Sequence, residues 1–167
     1  IEPLSRLVRP HIAIITAIES VHMEFFASTA AIAEAKGEIF AGLEPDGHAI
    51  LPHDNPHYPR LAEIARAKGA AVIDSFGCQA NATARLLDFG LDPSSTVVFA
   101  LLANHPISYR IGIPGRQWAI NSLAVLLATR AAGLSIHAPA QALASIRGPK
   151  GRGARIRLAW DQGELEI

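Results

Sequence analysis

The chain has 167 residues, half of them apolar and 18% charged, with a formal net charge of zero. That is long enough for one domain with a full core, and the neutral balance excludes an electrostatic nucleic-acid tether or an acidic tail. Cys78 is the single cysteine, which excludes an intrachain disulfide and fits a reducing, cytoplasmic compartment.

The first element expected is a buried strand over "HIAIITAI" (11–18), a short apolar run rich in β-branched residues. This run and "VVFALLA" (97–103) are the longest apolar stretches, and both are too short to cross a bilayer. Ser28 can cap a helix from about Thr29 to Ala41. "EPDG" (44–47) is a turn and "HAILPH" (48–53) a second strand. A Pro-rich loop then leads into a helix within 54–69, with Leu61, Ile64 and Ala65 on one face. "AAVIDSFG" (70–77) is a third strand. Strand and helix alternating at this spacing predict an α/β fold with a mostly parallel sheet flanked by helices.

Beyond this point β-prone segments follow one another with short turns, which predicts an added antiparallel β layer over about 84–114. "RQWAINSLAVLLATRAAG" (116–133) is a long helix closed by Gly133, and "PAQALASI" (139–146) a shorter one. "GPKGRG" (148–153) reads as a hinge or linker. "ARIRLAWDQGELEI" (154–167) reads as a hairpin around Asp161–Gly163. The chain opens without a Met and ends on what looks like mid-strand, so it is expected to be a piece of a longer protein.

Lys36 is the anomaly of the first helix. Three and four residues away lie Ala33, Ile32, Ile39 and Phe40, all apolar, whereas a solvent-facing lysine usually has an acid at one of these offsets. Glu34 and Glu38 lie on the opposite side. Either the side chain snorkels from the edge of the core-facing stripe, or its nitrogen is held, modified or used. The tripeptide Ala-Lys-Gly recurs at Lys68, but there Gly69 directly precedes a strand, and Lys68 reads as an ordinary C-terminal helix lysine favoured by the dipole.

Other candidates carry their own alternatives. His22 follows the first strand closely, where open parallel sheets collect ligands; it is otherwise a surface loop histidine. Glu19 and Glu24 nearby suit a hard cation, although two acids in a loop are common. His48, His53 and His57 with Asp54 suggest a metal cluster, but Pro52, Pro56 and Pro59 prevent a helical His pair. Asn121 lies near the start of the long helix, where polar residues are common, and Arg116 just before it meets either an anion or solvent. No Gly-x-x-x-x-Gly-Lys-Ser/Thr phosphate loop, dinucleotide fingerprint or nucleophile elbow occurs in the sequence.

Taken together, "TAIESVHMEFFASTAAIAEAKGEIFAGL" and "PGRQWAINSLAVLLA" resemble the central, ATP-binding domain of the Mur ligases, ATP-dependent amide-forming enzymes of bacterial peptidoglycan synthesis. The likeness covers roughly residues 2–155, with several motifs in the family's order. It implies a phosphate-loop NTPase-like domain over 1–153, lacking its N-terminal phosphate loop, with 154–167 entering the C-terminal domain. "AKGEIFAGLEPDGHAILPHDNP" resembles most the branch that joins D-Ala-D-Ala to UDP-MurNAc-tripeptide through an acyl phosphate.

In the family the lysine of "AKGEIF" is carbamylated and, with the histidine of "AHLE", ligates a catalytic Mg²⁺; Lys36 and His22 stand at those positions. The resemblance therefore implies ATP and Mg²⁺ as cofactors, Lys36 as catalytic, and Asn121 and Arg116 as nucleotide contacts. It also implies that His22 and Lys36 lie on one side of the sheet, at the carboxyl end of the first strand. Carbamylation needs the neutral amine, and apolar surroundings disfavour the charged form. Two positions depart from the pattern: Ala17 replaces an Asn, and Gln117-Trp118 replaces His-Asn. The resemblance implies neither nucleic acid nor membrane insertion, and it implies that the remaining N- and C-terminal domains belong to the same ligase. The alternatives are a sister Mur or folylpolyglutamate-type ligase, or a non-catalytic nucleotide- or partner-binding module descended from one.

Overall fold

The computed structural model describes residues 1–19, 28–148, 157–160 and 163–166, the last two stretches as backbone. The described elements are α1 (Glu2–Val8), β1 (Ile12–Ile14), α2 (Thr29–Gly37), β2 (His48–Pro52), α3 (Tyr58–Ala67) and β3 (Val72–Gly77). They continue as β4 (Ala84–Asp92), β5 (Ser95–Leu102), β6 (His105–Ile111), α4 (Arg116–Ala131), α5 (His137–Ala142), β7 (Arg157–Trp160) and β8 (Gly163–Glu166). Six strands form one sheet in sequence order, β1 to β6. β1 through β4 are parallel neighbours, and β4, β5 and β6 pair antiparallel.

The expected antiparallel part is thus the continuation of the same sheet. β4 starts level with the end of β3, with Ala84 opposite Phe76. A short lateral step therefore joins two parallel strands that would ordinarily need a long crossover, and the antiparallel strands overhang the carboxyl end of β3. The hairpin expected at the end of the chain is present as β7 paired with β8. Most of the 148–153 linker lies outside the described residues.

Both faces of the parallel strands are covered, which is why they read as unbroken apolar runs. On β2, Ile50 joins a core with Phe76, Val98, Ile111, Leu123 and Leu127, formed against α4. Its neighbours Ala49 and Leu51 join a second core with Ile32, Phe40, Leu61 and Ala65, formed against α2 and α3. The buried Tyr109 hydroxyl pins α4 to the sheet, 2.6 Å from Ser122 Oγ.

Strand β1 is shorter than its apolar run. Ile15 N–H still donates to Ile50 O, and the Ile15 and Ile18 side chains remain buried. The backbone, however, leaves the ladder after Ile14. Helix α2 begins as expected, with Ser28 Oγ accepting from Ala31 N–H at 3.2 Å. It gives way at Glu38 to a 3-10 helix, Glu38–Gly42, that packs beside α1. Ser5 links the two: its hydroxyl donates to Ile39 O and accepts from Gly42 N–H at 3.0 Å. Helix α1 itself has no counterpart in the expected elements.

The two Ala-Lys-Gly copies do different work. Gly37 is buried, and a Cβ there would lie 3.0 Å from Ile64 Cδ1 of α3, so its missing side chain lets two helices approach. Gly69 has φ +95° with open space around it, and it ends α3 through the left-handed conformation that glycine tolerates.

Candidate active site

In a sheet of this kind the chain segments that leave the carboxyl ends of the parallel strands gather along one edge. Here they are 15–18 after β1, 53–55 after β2 and 78–79 after β3, and helix α4 starts beside them. A continuous row of polar contacts runs along this edge.

It begins at Lys36. Ile32, Ala33 and Phe40 are fully buried, as their spacing predicts, but Lys36 is half-buried at the rim of that stripe. Its Nζ donates to the main-chain carbonyl of Ala17 at 2.7 Å. Among the described residues no carboxylate lies within salt-bridge distance of it. Lys68, by contrast, is exposed at the end of α3. The next carbonyl, Ile18 O, accepts from Asn55 Nδ2 at 3.0 Å. Two carbonyls that a longer β1 would have placed in a ladder are therefore taken by side chains, which satisfies these part-buried backbone acceptors by another route.

Asp54 follows. Its carboxylate accepts Cys78 N–H at 2.8 and 2.9 Å and Gln79 N–H at 3.0 Å. It sits so close to Gly77 that a Cβ there would lie 2.4 Å from Oδ1. Arg116, at the start of α4, then reaches Cys78 Sγ at 3.2 Å. Burial, with the Asp54 charge second, pushes the Cys78 thiol up from its ordinary value, so the thiol stays protonated. One turn further on, Gln117 Nε2 donates to Asn121 Oδ1 at 3.1 Å. The turn into α4 is fixed by the buried Thr96, whose hydroxyl donates to Ile113 O and accepts from Gly115 N–H, both at 2.9 Å.

Of the residues singled out from sequence, Lys36 and Arg116 thus stand at two ends of this row, and Asn121 extends it along α4. His22 lies outside the described residues. The histidines at 48, 53 and 57 meet separate partners: His48 faces Asp74 at 3.6 Å, His53 stacks on Tyr58 at 4.3 Å, and His57 Nε2 lies 2.9 Å from Thr29 Oγ1. Sequence reasoning passed over Asn55 and Thr96 and weighed Asp54 only as a metal ligand. The position of "HDN" directly after a parallel strand was the available signal for Asp54 and Asn55.

This fold has a family. Residues 2–129 match the Mur ligase middle domain, and the chain belongs to that family. Among its relatives, a UDP-N-acetylmuramoyl-tripeptide–D-alanyl-D-alanine ligase of Rickettsia prowazekii is 33% identical over 158 residues, 95% of this chain and 35% of the relative. A UDP-N-acetylmuramate–L-alanine ligase of Mycolicibacterium vanbaalenii is 31% identical over 147 residues, 86% of this chain and 31% of the relative. Among solved structures, MurF from Acinetobacter baumannii superposes with a TM-score of 0.86 at 24% identity, over 99% of this chain and 35% of that one. MurF ligase from Thermotoga maritima in complex with ADP gives 0.77 at 22% identity, over 93% and 35%. At these identities the two structures speak for the fold. The chain spans about a third of the length of the relatives it matches.

Proposed function

We propose that this chain is the central part of an ATP-dependent ligase that joins D-Ala-D-Ala to UDP-MurNAc-tripeptide. The observation that carries the reading is the Lys36 amine. It stands at the carboxyl end of β1, half-buried, with a main-chain carbonyl for its partner, in a chain 33% identical to a ligase named for that reaction. In the reaction the terminal carboxylate of the tripeptide attacks the γ-phosphate of ATP and releases ADP. The D-Ala-D-Ala amine then displaces phosphate from the acyl phosphate and loses a proton.

As an ammonium, Lys36 cannot ligate a cation. After its neutral amine adds to CO₂ and releases a proton, it presents carbamate oxygens, the donor type a hard ion prefers. The donor chemistry therefore fits magnesium, with Lys36 and His22 as the residues that would hold it. A bound magnesium would neutralise charge between phosphate and carboxylate. Arg116 offers a guanidinium to an anionic group of the nucleotide, and Asn121 a polar edge beside it. The sequence contains no phosphate loop, which we assign to the upstream part of the same ligase, with 154–167 leading into its C-terminal domain.

The reading is tested in the full-length protein by phosphate release with two acceptor pairs. Turnover is expected with UDP-MurNAc-tripeptide and D-Ala-D-Ala. Turnover with UDP-MurNAc and L-alanine alone would assign the chain instead to the sister branch, a reading favoured by the 31% identity to the L-alanine ligase. No turnover with either pair would leave a binding module.

A further inference from the structure

The turn Asn55–His57, between β2 and α3, makes contacts that the proposed chemistry does not use. Asn55 Nδ2 donates to Ile18 O at 3.0 Å, while Asn55 Oδ1 accepts His57 N–H at 3.0 Å. The ring of the same His57 reaches Thr29 Oγ1, the first residue of α2, at 2.9 Å. Ile18 and Thr29 flank residues 19–28. Both flanks of the stretch that contains position 22 are therefore tied to one turn, and the carbonyl next to Ile18 is the one that holds Lys36.

The turn is suited to serve as a fixed point. Asn55 N–H donates to Pro52 O at 3.3 Å and Tyr58 N–H to Asn55 O at 2.9 Å. Pro56 restricts the backbone between its two functional side chains, and Tyr58 opens α3, whose Leu61 and Ala65 are fully buried. The short amide of Asn55 supplies the donor and the acceptor from two separate atoms. An aspartate at 55 would keep the acceptor for His57 N–H but set a carboxylate oxygen against the Ile18 carbonyl.

We infer that Asn55 and His57 are positioning residues, which hold the exit of β1 and the start of α2 in the spacing that sets the Lys36 amine. This rests on the ligase reading for its catalytic consequence but not for its structural one, and the test separates the two. In the full-length protein, Asn55→Asp is followed by amide hydrogen exchange and by steady-state kinetics. Exchange in peptides spanning 15–35 is expected to rise about tenfold, the order set by one lost hydrogen bond, with β4–β6 peptides unchanged. Turnover is expected to fall about tenfold or more with the KM for D-Ala-D-Ala little altered, because the substitution acts on the placement of Lys36.

If Asn55→Asp does not fold, His57→Ala and His57→Gln decide. The glutamine, which keeps a polar group for Thr29, is expected to restore most of the protection and turnover that alanine loses. Unchanged exchange at 15–35, an equal rise across the whole chain, or equal behaviour of the alanine and glutamine variants would overturn the inference. A wild-type protein without ligase activity whose variants still show the local rise in exchange would sink the ligase reading and leave the positioning role standing.

Discussion

At the scale of single residues, Lys36 joins an apolar helix face to the exit of β1 through one hydrogen bond to a neutral acceptor. Replacing it with alanine removes that bond but adds a strong helix former, so stability is expected to change by about 1 kcal/mol or less. In the full-length protein Lys36→Ala should abolish ligation, with partial recovery of phosphate release on adding formate or acetate to supply the missing oxygen ligand. Full activity of the variant without any added acid would return Lys36 to the role of a snorkelling lysine. Tyr109 offers a separate test. Burial pushes its hydroxyl up from 10.0 to about 12. The folded chain therefore keeps a proton that the unfolded chain has already lost. Between these two values Tyr109 makes stability fall as pH rises, and below pH 10.0 it contributes no pH dependence. Denaturation midpoints measured against pH should show this decline in the wild type and a shallower one in Tyr109→Phe. At neutral pH the same variant should lose about 0.5–1.5 kcal/mol, the worth of one hydrogen bond.

At the scale of elements, two glycines separate packing against a side chain from packing against backbone. A Cβ at Gly37 would meet the tip of Ile64 at 3.0 Å, whereas a Cβ at Gly42 would lie 2.1 Å from the Ser5 carbonyl oxygen. Ile64 can shift its terminal carbons, and alanine gains roughly 1 kcal/mol of helix propensity at position 37. Gly37→Ala should therefore stay within about 1 kcal/mol of wild type. Gly42→Ala can be accommodated only by moving α1 off the 3-10 helix, and is expected to cost at least about 1–3 kcal/mol. Thermal unfolding of the two variants side by side checks the order; equal losses would mean that α1 is not a fixed neighbour of this helix.

At the scale of the molecule, the central parallel strands are sandwiched between two cores, one against α4 and one against α2 and α3. Leu123 lies fully buried in the first. Leu123→Ala should cost about 2–5 kcal/mol, because the strands and helix around it can close the cavity only in part. Chemical denaturation is the measurement, and a loss below about 1 kcal/mol would mean that α4 is not held rigidly on the sheet. The same sandwich explains the placement of the candidate site. With both faces filled by helices, the edge formed by the carboxyl ends of the strands is where polar side chains meet, and Lys36, Asn55, Asp54 and Arg116 all stand there.

Sequence alone determined the features that local chemistry controls. These include the alternation of strands and helices through β3, the Ser28 cap, the helix end at Gly133, the closing hairpin and the oddity of Lys36. Periodicity, capping and turn residues act over a few positions, so a few positions suffice to read them. The Ala-Lys-Gly echo shows the limit from within: identical tripeptides gave Gly37 and Gly69 different tasks, and only the flanking pattern hinted at it. Tertiary structure decided the early end of β1, the joining of the antiparallel strands to the parallel sheet, and the row of contacts across the carboxyl edge. The Arg116–Cys78 contact spans 38 positions and the Asn55–Ile18 contact 37. Such pairings are set by strand order and helix docking, which no short window of sequence encodes, and an Asn or Asp in a Pro-rich loop looks the same whether it faces water or holds the backbone of another strand.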